Sequence, residues 1–160
     1  RDQPRSRGLG DVYKRQLGDG PDREKLEALA VQLNAPVDFL GYTAYELMAA
    51  YLRASDITVN SLVKSAAQSI VTKIGDYLAS GNPMINTGSS PEFRAKVTAD
   101  GFGVNVEAED AQALADAIAK LASHASLRKI MGSKARAVAE KEFDQPRAYR
   151  EIVDLLRTLL

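Results

Sequence analysis

The chain alternates between short apolar runs and longer stretches in which apolar residues return every three or four positions. Leu17-Gly-Asp-Gly-Pro21 reads as a strand end followed by a glycine turn. A helix follows from Asp22 to about Leu33, with Leu26, Leu29, Ala30 and Leu33 predicted on its inner face. Asn34-Ala-Pro36 stops it. Val37 to Leu40 predicts a short buried strand, and Gly41 a turn. Thr43, with Glu46 three residues on, predicts a capping box and a helix to about Ala54, with Leu47, Ala50, Tyr51 and Ala54 inward. Ser55-Asp56 breaks it, and Ile57 to Val59 is the next strand.

The second half repeats this grammar. A polar loop, Asn60 to Ser65, leads to a helix predicted from about Gln68 to Ser80, with Ile70, Ile74, Tyr77 and Leu78 on one face. Gly81 ends it, and Asn82-Pro83 starts the strand Met84 to Asn86. After the turn-rich loop to Ser90, Pro91 opens a short helix through Phe93 and Val97. Gly101 to Val106 predicts a last strand. Three helices then follow. Leu114, Ile118 and Leu121 mark the first. The second spans about Leu127 to Glu142, with Ile130, Met131, Ala135 and Val138 as its stripe. The third runs from about Pro146, with Tyr149, Ile152, Leu155 and Leu156. Strands alternating with helices across short loops define an α/β domain with a doubly wound, Rossmann-like parallel sheet and extra C-terminal helices.

Composition narrows the chemistry. There are no cysteines, which removes disulfides and thiolate metal sites, and His124 is the only histidine. A Ser-His-Asp triad or a His-based metal site is therefore not expected, and His124 is expected at the end of a surface helix. No apolar run reaches transmembrane length, and no signal peptide is visible. Residues 1–16, RDQPRSRGLGDVYKRQ, resemble the translation of a sequencing-library adapter, so they are set aside from functional reasoning as non-native. They hold five of the 21 basic and two of the 21 acidic residues, leaving 16 and 19 and a net charge of −3. Nothing in that balance implies nucleic acid or an anionic membrane. Residues 17–160 are long enough for one domain.

The stretch with most chemical content is Ala67 to Thr87, AQSIVTKIGDYLASGNPMINT. A helix start after a polar loop offers free backbone N–H groups, which favour phosphates. Lys64 and Lys73 can add cationic help. Gln68 and Asp76, eight residues apart, share one side of the helix. An amphipathic helix with a merely solvated polar face gives the same pattern. Gln68, Asp76 and the run to Gly81-Asn-Pro-Met-Ile85 resemble the donor-site segment of retaining GT-B glycosyltransferases of group 1 (family 4). There two glutamates, seven residues apart in between, precede a small-residue run and Gly-x-Pro-Val-Ile. Gln68 stands at the first and Asp76 at the second. Gly18 in Gly-Asp-Gly-Pro21, the Gly101 to Val106 strand and Met-Gly-x-x-Ala-Arg at 131–136 resemble further family segments.

The resemblance implies the C-terminal, nucleotide-sugar-binding half of a GT-B enzyme, with sheet order 3-2-1-4-5-6. It places strand 1 and its helix upstream of Leu17. Val12 to Leu17 are then expected to stand in for strand 2, with the gap between strands 2 and 4 open or closed by non-native pairing. The parent protein is expected to transfer a sugar from a nucleotide-diphospho-sugar, with retention, to a glycan or lipid-linked acceptor held by another domain. No cofactor or metal is expected, and the location implied is cytoplasmic, with peripheral attachment at the inner membrane face through the absent domain. Gln68 would hold sugar hydroxyls and Asp76 ribose hydroxyls. The Ser69 and Ile70 amides would meet the diphosphate, with Lys64 and Lys73 near it. Gly18, Gly41 and Tyr42 would lie along the nucleotide, although Tyr42 reads equally as a surface aromatic. The fragment is expected to be inactive alone. The alternatives are a nucleotide-binding or epimerase-like domain of the same architecture and a flavodoxin-like module, for which no acidic strand-end cluster is present. A dinucleotide-binding dehydrogenase lacks its G-x-G-x-x-G here.

Overall fold

The computed structural model describes residues 14–66 and 72–159. They form two compact units, the first ending at Tyr51 and the second beginning at Leu52.

The first unit holds a parallel pair of strands, β1 (Lys14–Leu17) and β2 (Val37–Gly41), joined by helix α1 (Arg23–Gln32). Lys14 pairs with Val37 and Leu17 with Gly41, and the register slips once, between Gln16 and Leu17. Asn34, in the left-handed region at φ 48°, turns the chain out of α1 towards Pro36. The predicted inner face of α1 is not covered: Leu26, Leu29 and Leu33 are exposed, and α1 has no buried residue. Helix α2 (Tyr45–Ala54) begins two residues after Thr43, whose hydroxyl donates instead to Gly41 O at 3.3 Å. Its inward side also differs from expectation. Leu47, Ala50 and Ala54 are exposed, while Met48, Tyr51 and Leu52 are half-buried. The Arg15 guanidinium lies 5.1 Å over the Tyr51 ring, which fixes the face α2 turns inward.

The second unit carries a three-stranded parallel sheet in the order β3 (Thr58–Asn60), β4 (Met84–Asn86), β5 (Gly103–Asn105). The pairs Thr58–Met84–Gly103 and Asn60–Asn86–Asn105 lie in register. Among the described residues the ladders form these two sets and not one continuous sheet, and the order within each fits one half of the doubly wound arrangement. Around the sheet are α3 (Lys73–Ala79), α4 (Pro91–Asp100), α5 (Ala111–Ser123) and α6 (Ala125–Glu142); α7 (Gln145–Leu159) follows, and its expected stripe, Tyr149, Ile152, Leu155 and Leu156, is exposed.

Successive residues of a strand point to opposite faces. Met84 therefore enters one core with Ile74, Leu78, Phe93, Val97, Phe102, Ala135 and Ala139. Ile85 enters the other with Val106, Ala117 and Leu121. Helices α3 and α4 thus cover one face and α5 the other, while α6 sends Ala135 and Ala139 into the first core and packs Leu127 and Met131 against the second. The predicted last strand is shorter than its pattern. Gly101 closes α4 in the left-handed conformation, with its N–H on Val97 O, and Phe102 is buried before pairing begins. Gly103 passes so close to Met84 O that a Cβ there would collide with it.

Of the expected α6 stripe, Ala135 is buried and Met131 and Val138 are half-buried against the cores, whereas Ile130 is 57% exposed and Gly132 and Ala139 are buried instead. The cause is a main-chain contact: a Cβ on Gly132 would run into Gly81 O, so α6 meets the end of α3 through small residues. Arg136 donates to Ala79 O at 2.8 Å beside that contact. The Met-Gly-x-x-Ala-Arg run therefore docks α6 on α3. His124 is exposed in the junction of α5 and α6, as its position predicts. No helix among the described residues is long and apolar enough to cross a membrane.

Candidate functional site

Helix α3 follows β3 and precedes β4, so the chain enters it from the carboxyl edge of the parallel sheet. That edge is where open α/β sheets bind ligands. Gln68, Ser69 and Ile70 lie outside the described residues, together with the predicted first turn of the helix. The described part begins at Lys73. Ile74 and Leu78 are fully buried, and Asp76 is half-buried on another side. Lys73 Nζ stands 5.6 Å over the Tyr77 ring. Burial, and secondly the neighbouring Asp76 carboxylate, pushes the Tyr77 phenol up. Gly81, at φ 75°, ends the helix as predicted, with its N–H on Leu78 O at 3.1 Å.

Lys64 is exposed in the loop after β3. Its backbone N–H donates to Glu109 Oε1 at 3.2 Å. The first-unit candidates are arranged differently. Gly18 N–H donates to Gly41 O at 2.8 Å, so these two glycines meet. Gly18 is exposed at φ 111°, whereas Gly41 is buried at φ 67° and a Cβ there would press on the Arg23 guanidinium. Tyr42 is 89% exposed. A shallow hollow of about 650 Å³ between α1 and β2, lined by Glu27, Ala30, Asn34 and Phe39 among others, contains none of the candidates. Among the described residues, no group of three or more His, Asp or Glu side chains is placed to hold a metal ion.

Pattern reading passed over a polar network at the strand ends. Asn60 Nδ2 donates to Asn86 Oδ1 at 2.9 Å, and Asn86 Nδ2 to Asn105 Oδ1 at 2.9 Å. Asn105 Nδ2 donates to Arg94 O at 2.8 Å. A carbonyl can only accept, and Gly88 N–H, which can only donate, lies 3.1 Å from Asn86 Oδ1. The amide orientations are thus set from both ends. Asn60 Oδ1 is left as a buried acceptor without a donor, on a residue 1% exposed. Arg94 ties the neighbouring loops together, donating to Gly88 O, Val106 O and the Glu107 carboxylate. The available signal was an asparagine at the same point of three successive strands.

This arrangement defines a doubly wound α/β domain of GT-B type whose carboxyl edge is formed by a polar loop, α3 and an asparagine row. Residues 6–124 match the model of the family described as "Glycosyl transferases group 1", and the chain belongs to that family. An uncharacterized glycosyltransferase of Methanocaldococcus jannaschii is 27% identical over 147 residues, covering 90% of this chain and 36% of its own length. Sucrose-phosphate synthase from Thermosynechococcus elongatus superposes with a TM-score of 0.75 at 23% identity, over 91% of this chain and 38% of that one. Anabaena HepE in complex with UDP-glucose gives 0.77 at 20% identity, over 92% and 41%. The chain therefore spans well under half the length of these relatives.

Proposed function

We propose that this chain is the nucleotide-sugar-binding part of a retaining hexosyltransferase, which moves a sugar from a nucleotide-diphospho-sugar to a glycan or lipid-linked acceptor bound by another domain. The observation that carries this reading is membership of the group 1 family together with α3, which follows β3 in the chain and carries Lys73 and Asp76. The UDP-glucose complex of Anabaena HepE, a protein of the same fold, supports the class of donor.

The leaving group is a diphosphate, and negative charge builds on it as the glycosidic bond breaks. Backbone N–H groups at Ser69 and Ile70 stabilise that charge, with Lys64 and Lys73 adding to the local potential, and no metal is invoked. Asp76 accepts hydrogen bonds from the ribose hydroxyls and Gln68 holds hydroxyls of the sugar. Gly18, Gly41 and Tyr42 border the nucleotide. The acceptor site lies outside this chain, which is inactive by itself, and residues 1–16 take no part. The whole protein works in the cytoplasm.

The test is made on the full-length protein expressed from its complete gene. Its thermal midpoint is followed with UDP, GDP and ADP, with and without Mg²⁺. One nucleotide at a hundred times its dissociation constant should stabilise by about 2.7 kcal/mol without metal. No shift with any nucleotide overturns the donor-site reading. An inverted anomeric centre in the product overturns retention alone.

A further inference from the structure

Two side chains outside the donor helix hold the loop that leads into it. Thr87, one residue past β4, is 5% exposed. Its N–H donates to Asn60 O at 3.0 Å. Its hydroxyl accepts from Leu62 N–H at 2.7 Å and donates to Leu62 O at 2.8 Å. One hydroxyl thus satisfies both main-chain groups of Leu62, where the chain has already left β3. Two residues on, Lys64 N–H donates to the Glu109 carboxylate, which is carried by a different loop, before α5.

Glu109 sits at φ 65°, a left-handed conformation that a side chain disfavours and a glycine adopts freely. Such strain persists where the surroundings impose it, commonly beside functional loops. A glycine at this position would relieve the backbone and lose the carboxylate. The carboxylate is the group that reaches Lys64, so the residue type at 109 is accounted for by its contact and not by its backbone. Asp110 Oδ1 accepts from Ala113 N–H at 2.9 Å and anchors the same short segment to α5.

We infer that Thr87 and Glu109 are positioning residues for nucleotide binding. They fix the main chain at Leu62 and Lys64, where the chain leaves β3 towards the proposed phosphate contacts. The inference rests on the nucleotide-sugar reading above. Preorganisation of this kind raises affinity by removing the cost of ordering the loop on binding. It predicts that loosening either clip weakens nucleotide binding without a matching loss of fold.

The experiment uses the ¹⁵N-labelled full-length protein, expressed from its complete gene, and its variants Thr87→Val, Thr87→Ser, Glu109→Ala and Glu109→Gln. Amide exchange at Leu62 and Lys64 is read beside exchange in α5 and α6, and affinities for UDP, GDP and ADP are measured by calorimetry. Thr87→Val should speed exchange at Leu62 and weaken the bound nucleotide by about tenfold each, the equivalent of one buried hydrogen-bonded group left unpaired. Thr87→Ser should restore both. Glu109→Ala should speed exchange at Lys64 and weaken binding by about threefold, and Glu109→Gln should recover most of it, since a neutral oxygen still accepts. Glu109 lies on an exposed loop, so its variants test the inference even if Thr87→Val does not fold. Faster loop exchange with wild-type affinity overturns the positioning role and leaves the nucleotide reading standing. Unchanged exchange at both amides overturns the clips themselves. A wild-type full-length protein that binds none of the three nucleotides overturns the nucleotide reading, and with it any positioning role in it.

Discussion

The two units use the same strand–helix–strand grammar and bury very different amounts of it. Every buried hydrophobic side chain among the described residues lies in the second unit. There a three-stranded sheet has helices on both faces, and β4 sends Met84 into one core and Ile85 into the other. In the first unit, two strands and α1 leave Leu26, Leu29 and Leu33 in solvent. The apolar spacing of α1 is as regular as that of α3. A hydrophobic stripe states which face an element must cover; whether a cover exists depends on how many layers surround it. A two-stranded ladder offers α1 too little surface, and such pairs are marginal in water.

The largest expected consequence is in local stability. Amide exchange in β1 and β2 should run about a thousandfold faster than in β4, a gap of about 4 kcal/mol in opening free energy. Equal protection in both ladders would break the comparison. Next in size is a matched pair of truncations followed by urea unfolding. Leu78→Ala, in the first core cluster, should cost about 3 kcal/mol. Leu29→Ala, at a residue 44% exposed, should cost under about 1 kcal/mol. Similar losses would mean that α1 is covered in solution.

A third test sharpens the role of the polar row. Asn86→Leu keeps the volume of the strand end but strands Asn60 Nδ2, Asn105 Oδ1 and Gly88 N–H, and should cost about 2–3 kcal/mol in the same assay. The smallest effect is electrostatic. Burial opposes the Lys96 charge, but the carboxylates of Asp100 and Glu142, at 2.8 and 2.7 Å, outweigh it and hold the ammonium above its ordinary value. A raised lysine contributes stability that is fully present below the unfolded value of 10.5 and fades as pH climbs through the folded one. Lys96→Met should therefore lower the thermal midpoint slightly at pH 7 and less at pH 11; an equal loss at both would assign the effect to packing.

Much of the fold was legible because its signals are local. Gly81, Pro91 and the Asn34-Ala-Pro36 break punctuate the elements where the chain turns. What failed was rotational detail. Thr43 reads as a cap, yet its hydroxyl turns back to Gly41 O and α2 opens later. Ile130 reads as core, yet the main-chain contact of Gly132 with Gly81, 51 residues back (132 − 81), turns α6 onto its small residues. Motif reading singled out Gly18, Gly41, Lys73 and Asp76, while Thr87, Glu109 and the asparagine row carry no local signal. Their partners are 25, 45 and 26 residues away, and no short-range pattern encodes such pairings.

The Gly132–Gly81 contact sets a mechanical tolerance on α3. Main chain touching main chain has no rotamer to adjust, so the depth at which α3 sits is gauged by two rigid backbones. Substitutions on the outer surface of α6 can accumulate freely without changing that depth. One methyl group at residue 132 would act as a shim, lifting the end of α3 and displacing Asp76 with it.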